Sequence, residues 1–485
     1  MKKLLLFFLL ASKPLLFGQT ILNSLPLNFE ARTQKGQVLS IKDAKSDDIY
    51  VFASDNKDLS ILKYNQSLFL KSQFNDSIKT AVNRVLLGYS LGEDKNPILY
   101  WFSSTFRNVQ LVKYNLTNQT SKSLYFNFPE NLEYVITTFQ KDNVFYVLGK
   151  ENKEQHLLLY KFENGNCEIK MLNFTSFLFQ NASGRSFTFT YMLRNSVKKM
   201  EEYTFNPIDN AATFNKIYIA GDRIILTFDY NLKKTQVFDI NIETLQIKEK
   251  FFNQPVSKNP AQTANSFYNS NKLYQVAANK DELSLDVKDF DSGNSLKSFS
   301  FSKNDSIPFK TSPFLLQTSY SKPQQLKTTA KFLKNLSGLN AGISVLKNKE
   351  ISYITVGGLG EYADYNFYNS PTGFDDFYEP TPYILSKVVY FDSALNENLD
   401  FIKDKHIEPT AIDNLFYFLS LNKNIIWYDA LKLDDYQVLC YYDPTLKQLV
   451  MRKFIDGFIN EAMGNPIMNK SIFSKPFSFG NIKPN

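Results

Sequence analysis

The residues whose types and spacing could do chemistry gather in one stretch, 357–383. It opens with Gly357-Gly358-Leu359-Gly360 and continues through Glu361-Tyr362-Ala363-Asp364-Tyr365-Asn366-Phe367-Tyr368. It then runs through Pro371-Thr372-Gly373-Phe374-Asp375-Asp376-Phe377-Tyr378-Glu379-Pro380. Five carboxylates fall in it, and no Lys or Arg occurs from Ile351 to Ser386, in a chain of formal net charge +7. Carboxylates supply hard oxygen ligands, so Ca²⁺ is the cofactor this stretch points to. Tyr and Phe offer flat apolar faces with polar rims, suited to a sugar ring or a protein partner. The candidate ligand-binding residues are therefore Tyr362, Asp364, Tyr365, Tyr368, Asp375, Asp376, Tyr378 and Glu379. The spacing matches no EF-hand loop, and a capping loop with solvated acids is the competing reading. The glycines lack the Lys of a phosphate-binding loop, and they predict a close turn.

Other constellations carry less. The two histidines, His156 and His406, have no nucleophile marked for them, and no Gly-x-Ser-x-Gly elbow is present. No catalytic residue is assigned, although paired carboxylates for glycoside hydrolysis fit the composition. Two cysteines, Cys167 and Cys440, read as buried free thiols, and two His with two Cys are too few for a usual structural zinc site. Asp289-Phe290-Asp291-Ser292-Gly293-Asn294 has part of a calcium-loop pattern, but turn geometry explains it. In 174–212, Phe187, Phe189 and Tyr191 alternate as in a strand, and Arg194, Lys198 and Lys199 follow in a polar loop. Ser321 and Gln324 fit a capping box, with Leu326, Ala330 and Leu333 on one face of a helix that Gly338 would stop.

These segments interrupt a repeat. An apolar strand ending in an aromatic or aliphatic residue before Asn, Asp or Glu recurs at Ile61–Asn65, Leu111–Asn115, Leu159–Glu163, Val237–Asn241, Val287–Asp291, Val388–Asp392 and Leu439–Asp443. The final positions step by 50, 48, 78, 50, 101 and 51 residues. Turn residues follow, such as Asn164-Gly165 and Pro444-Thr445, and further strands flank each motif. A period near fifty suits one four-stranded blade of a β-propeller. The pattern thus predicts an all-β fold, a seven-bladed propeller of four-stranded antiparallel blades, with short helical insertions near 174–212 and 303–340 and a further insertion at 357–383. In the last unit, strands are expected near 415–419, 424–428, 436–442 and 448–454.

The 485 residues are 43% hydrophobic, 15% aromatic and 21% charged, a globular balance that excludes a disordered chain or a collagen-like fibre. Lys2 and Lys3 precede the apolar run Leu4–Ala11, and a second apolar stretch ends at Phe17-Gly18. This reads as a signal peptide, 1–18, cleaved before Gln19. No Cys follows for a lipid anchor, and no later run is long enough for a transmembrane helix. Cleavage removes three lysines and no acid, so the remaining positive charge is too weak for a nucleic-acid binder of this size. Residues 19–485 are expected to form a single propeller domain, secreted, periplasmic or associated with the outer membrane.

In repeat pattern the chain resembles secreted β-propeller repeat proteins over about 39–455, and its signal peptide and composition resemble exported Bacteroidetes proteins. There is no WD dipeptide series, kelch double-glycine series or aspartate box to carry a functional residue over. The resemblance implies a binding module for an envelope protein or an extracellular glycan. The alternatives are a polysaccharide hydrolase or lyase using carboxylates at the channel mouth, and a structural envelope component.

Overall fold

The structure is a computed structural model that describes residues 19–30, 36–78, 84–181, 183–319, 322–364, 383–402 and 408–458. Strand β1 (Gln19–Pro26) comes first. Blade 1 is β2 (Gln37–Lys42), β3 (Ile49–Ser54), β4 (Asp58–Tyr64) and β5 (Leu70–Ser77). Blade 2 is β6 (Arg84–Leu91), β7 (Pro97–Ser103), β8 (Asn108–Asn115) and β9 (Thr120–Asn127). Blade 3 is β10 (Leu132–Lys141), β11 (Val144–Glu151), β12 (His156–Glu163) and β13 (Asn166–Asn173). An insertion follows, with a hairpin β14 (Phe179–Gln180) and β15 (Ser186–Phe187), helix α1 (Phe189–Met192), strand β16 (Lys198–Met200) and helix α2 (Ile208–Ala211). Blade 4 is β17 (Asn215–Ala220), β18 (Arg223–Asn231), β19 (Lys234–Asn241) and β20 (Ile247–Asn253). Blade 5 is β21 (Thr263–Asn269), β22 (Lys272–Ala278), β23 (Glu282–Asp289) and β24 (Ser295–Ser302).

Blade 6 departs from this order. Its outer strands, β25 (Phe314–Thr318) and β26 (Gln324–Leu326), come before helix α3 (Thr329–Leu336) and the inner strands β27 (Asn340–Asn348), β28 (Ile351–Asp364) and β29 (Tyr383–Leu395). Helix α4 (Ala411–Leu421) leads to blade 7, which has β30 (Tyr428–Leu433), β31 (Tyr436–Asp443) and β32 (Gln448–Phe454). β1 supplies its fourth strand, pairing antiparallel with β32 from Gln19↔Phe454 to Pro26↔Gln448. The two ends of the described chain therefore share one blade.

The fold is a seven-bladed β-propeller. Apolar clusters join successive blades: Phe52 with Leu99, Tyr100 with Phe145, Leu159 with Leu226, Ile225 with Leu273, Leu285 with Val356, and Leu346 with Tyr441. A last cluster joins Val438 and Cys440 of blade 7 to Val51 and Leu62 of blade 1, closing the ring. Strands sandwiched between neighbouring blades are buried on both faces, which is why β3 and β7 read as continuous apolar runs. Outer strands such as β9 face solvent on both sides and are mixed. Six of the seven repeat motifs fall on third strands, and the Asn or Asp that ends many of them closes the next turn. Asn65 Oδ1 accepts from Phe69 N at 2.9 Å, and Asp443 Oδ1 from Thr445 N at 2.9 Å. The seventh motif lies on the second strand of blade 7, because β1 takes the outer place.

Three local expectations are corrected. The run near 415–419 is inside α4, not a strand; Thr410 and Asp413 form its capping box, and Leu415 is buried against blade 7. Phe189 and Tyr191 lie in α1, capped by Thr188, not in a strand. Helix α3 starts after Thr328, which accepts from Lys331 N, so Leu326 belongs to β26 and Ser321 lies outside the described residues. Its apolar side, Phe332, Leu333 and Leu336, packs into blade 6, as a helix lying against the propeller should.

Candidate functional site

Antiparallel connectivity gives the ring two faces. Turns from inner to second strands lie on one, here the upper face, and turns from second to third strands lie on the lower. The 357–383 stretch belongs to the lower face. β28 and β29 stay paired as far as Asp364↔Tyr383, whereas β27 follows β28 only to Leu359 and β25 follows β29 only to Lys387. The last four pairs, Glu361↔Ser386 to Asp364↔Tyr383, therefore form a two-stranded ribbon leaving the blade. Tyr362 and Asp364 lie on this ribbon, while Tyr365, Tyr368, Asp375, Asp376, Tyr378 and Glu379 lie outside the described residues. The three glycines do not make a turn. They are strand residues whose missing side chains admit close neighbours: a Cβ on Gly357 would sit 2.3 Å from Val389 O, and one on Gly358 would sit 2.7 Å from Leu336 Cδ1.

The most developed concavity is on the upper face, in the central channel, with a volume of about 640 Å³. Inner strands β2, β6, β10, β17 and β30 contribute its wall, with Ile412 of α4 and the segment Lys199–Thr204. That segment is the tip of a finger built by the first insertion. β16 adds in parallel to the inner edge of β17, Lys198↔Lys216 to Met200↔Tyr218, and so runs up the channel. Asn206 clips the turn at the tip: its Nδ2 donates to Glu201 O at 2.7 Å, and its Oδ1 accepts from Glu201 N at 2.9 Å. The chain returns through α2, whose Ile208 and Ala211 are buried in the core shared by blades 4, 5 and 6. A Cβ on Gly342 of β27 would come within 2.9 Å of Ala212, so glycine there lets the finger seat. At its base, buried Lys216 donates to Asp229 Oδ2 at 2.8 Å, Asn265 Oδ1 at 2.6 Å and Thr213 O at 2.7 Å.

The cavity's charged groups divide into matched and unmatched. Lys199 pairs with Glu201 at 3.2 Å, Lys42 with Asp47 at 2.8 Å, and Lys141 with Asp142 and Asp222 at 2.7 and 2.8 Å. Asp429 is buried, and its Oδ2 accepts from Ser40 N at 2.7 Å and Ser40 Oγ at 2.9 Å across the closing seam. Burial pushes its carboxyl up to about 6, against those hydrogen bonds. Glu202 and Lys432 have no ion-pair partner within 4 Å among the described residues. Burial raises the Glu202 carboxyl above its ordinary range, opposed by a hydrogen bond to Tyr203 and the charge of Lys432. The Lys432 ammonium sits 4.0 Å over the Tyr203 ring, which is 55% exposed.

Reading the sequence placed 174–212 outside the repeat but did not see that it enters the channel. The signal was available in its excess length and in the apolar residues of the returning limb. His156 contacts Glu151 at the lower end of blade 3, and Glu151 also accepts from Asn131. Asp289 and Asp291 are held by the turn and by neighbouring strands. Asp289 Oδ1 accepts from Ser292 N at 2.8 Å, and Asp291 pairs with Arg223 at 3.1 Å and Lys250 at 3.3 Å. Cys167 and Cys440 are free thiols on blades 3 and 7, and Cys440 is buried. Among the described residues no three His, Cys, Asp or Glu side chains gather to hold a metal. No described helix is long and apolar enough to cross a membrane.

No protein-family model matches the chain, and no curated protein does. Among solved structures it is similar to the WD40 domain of SCAP from fission yeast, at 10% identity and TM-score 0.29 over 88% of this chain and 86% of that one. It is similar to the Dos1 propeller at 9% identity and TM-score 0.26, over 84% and 76% of the two chains. It is also similar to an oligogalacturonate lyase in complex with manganese, at 8% identity and TM-score 0.30, over 91% and 98%.

Proposed function

We propose that this chain is an exported β-propeller that works by binding, with an extracellular glycan or an envelope protein seated at the upper channel cavity. One observation carries the reading: the contrast along the finger. Where the finger only fills space it is apolar, with Met200, Ile208 and Ala211 buried. Where it meets the cavity it reads Glu201-Glu202-Tyr203-Thr204. A mere plug gains nothing from a half-buried, unpaired carboxyl, because burial of charge costs free energy unless it is compensated. Export rests on the pattern of residues 1–18, and cleavage before Gln19 would leave β1 whole to close blade 7. The ribbon of β28 and β29 carries the acidic and aromatic tip as a second contact surface on the opposite face, with Ca²⁺ as its proposed ion.

The hydrolase or lyase reading calls for two available carboxyls. In the cavity Asp142 and Glu201 face lysines and Asp429 is held by Ser40, which leaves Glu202 as the one unmatched acid among the described lining residues. The test is to melt residues 19–485 with a panel of soluble polysaccharides and to assay each mixture for new reducing ends or unsaturated sugars. A rise in Tm without turnover supports binding. Turnover would replace this reading with the enzyme. Neither effect, with an envelope protein retained on immobilised chain, would assign the cavity to a protein partner. Melting with millimolar Ca²⁺ against EDTA tests the lower tip, and the acids Asp364, Asp375, Asp376 and Glu379 changed to Asn or Gln should abolish any shift.

A further inference from the structure

We infer that the cavity takes one neutral, hydroxyl-rich ring, a sugar residue, between Glu202 and Lys432 and against Tyr203. This names the ligand class of the site proposed above and rests on that reading. The argument is one of charge matching. Lys42, Lys141 and Lys199 are matched by acids of the chain itself, so the wall offers no surplus of positive charge to a polyanion. What is unmatched is one carboxyl and one ammonium, an acceptor-only group and a donor-only group. Adjacent hydroxyls of a sugar satisfy both at once, since each hydroxyl donates and accepts. A phosphate, sulfate or uronate would suit Lys432 and be repelled by Glu202; a simple amine would suit Glu202 and be repelled by Lys432.

Geometry agrees. Glu202 and Tyr203 are neighbours on the finger tip, and Lys432 reaches the Tyr203 ring from β30. The three groups thus share one patch of the upper rim, where more than half of Tyr203 is open. An aromatic ring with a polar tip offers the flat apolar surface that a pyranose presents its C–H face to. The volume lies within the roughly 300–1,000 Å³ usual for small-ligand sites, so one or two rings fit and a wide polymer does not. Burial of Glu202 strengthens its hydrogen bonds to a bound hydroxyl, because the same low dielectric that raises its pKa enhances them.

The experiment uses an array of neutral and acidic oligosaccharides probed with residues 19–485, at 50 mM and at 500 mM salt. Neutral sugars should bind, with little salt dependence, and Glu202→Gln, Lys432→Met and Tyr203→Ala should each weaken binding about tenfold or more. None of the three should lower Tm by more than a degree or two, since neither charge is paired in the free protein. Binding confined to acidic sugars, and lost in high salt, would overturn the neutral-ring assignment and leave the binding reading intact. Neutral-sugar binding that all three variants retain would overturn the site. No glycan bound at all would overturn the sugar class and move the binding reading to a protein partner.

Discussion

Asp429 makes the closing seam of the ring sensitive to pH in a direction opposite to that of most carboxylates. It lies on β30, is 6% exposed, and joins blade 7 to blade 1 through both Ser40 hydrogen bonds. Its carboxyl is pushed from an ordinary 3.8 up to about 6, chiefly by burial. The folded state therefore holds a proton in the window from about 4 to 6 that the unfolded state has already lost. Stability from this group is present at low pH and is lost as pH rises through 6. At about 1.36 kcal/mol per pH unit, the full swing is about 3 kcal/mol. A chain of this length has an unfolding entropy near 2.1 cal/mol/K per residue, so that swing is about 3 °C in Tm. Asp429→Asn removes the titration and keeps an oxygen for Ser40. Urea unfolding followed by tryptophan fluorescence, from pH 4 to pH 8, suits the question because Trp427 is buried against Phe29 and Tyr442 at the same seam. All other carboxylates titrate alike in both proteins and cancel in the difference. Asp429→Asn should gain on the wild type by about 3 kcal/mol between pH 4 and pH 8, and Ser40→Ala should move the transition to higher pH. Parallel curves would show that Asp429 titrates as an ordinary acid, and a gain of the opposite sign would show that the Ser40 bonds outweigh burial.

Closure by β1 can be locked. Thr20 faces Lys453 in the β1–β32 register, so Thr20→Cys with Lys453→Cys should slow unfolding and raise Tm, by up to about 4–5 kcal/mol of loop entropy, with the gain lost in reductant. At the base of the finger, Lys216→Met strands buried Asp229 and should cost about 3–5 kcal/mol in chemical unfolding, while Lys216→Met with Asp229→Leu recovers most of it. Gly342→Val places a branched side chain where even a Cβ meets Ala212 at 2.9 Å; it should cost about 1–3 kcal/mol and impair ligand binding by lifting the finger. Both cysteines should titrate with a thiol reagent in denaturant without reductant, and Cys440 should be protected in the native state.

The blades were legible in the sequence because a propeller repeats one packing problem. Each third strand must bury both faces and then turn, so runs such as Ile61-Leu62-Lys63-Tyr64 followed by Asn65 recur. The two long steps marked places where that solution is modified, and both modifications are of connectivity. Blade 6 takes its outer strand from before its inner one, since after β29 the chain is diverted into α4. Blade 7 takes its outer strand from the other end of the chain. Neither exchange leaves a local mark, because β25 and β1 have the mixed composition of any outer strand. Helix α4 was misread for a related reason: Leu415-Phe416-Tyr417-Phe418-Leu419 is apolar and aromatic enough for a buried strand, and only the Thr410–Asp413 cap signals a helix.

The site was harder to read than the fold, and the charge inversion at 357–383 shows why. Local composition finds residues that differ from their surroundings in sequence, as the acids of the ribbon tip do. It does not find residues that differ from their surroundings in space. Glu202 is one of many acids in a Lys-rich chain and stands next to Glu201, which has an ordinary partner in Lys199. What sets Glu202 apart is that the finger carries it into the channel, half-buries it, and brings up Lys432 from a strand more than two hundred residues away without pairing the two. That arrangement depends on Gly342 admitting Ala212 and on Lys216 holding Thr213, features of the base of the finger. The same logic orders the two candidate surfaces. An acidic tip on a two-stranded ribbon has its groups free whether or not a ligand exists, whereas a half-buried unmatched acid costs the fold free energy at all times. Selection tolerates such a cost most readily where a ligand repays it, and this is the physical ground for placing the ligand in the channel.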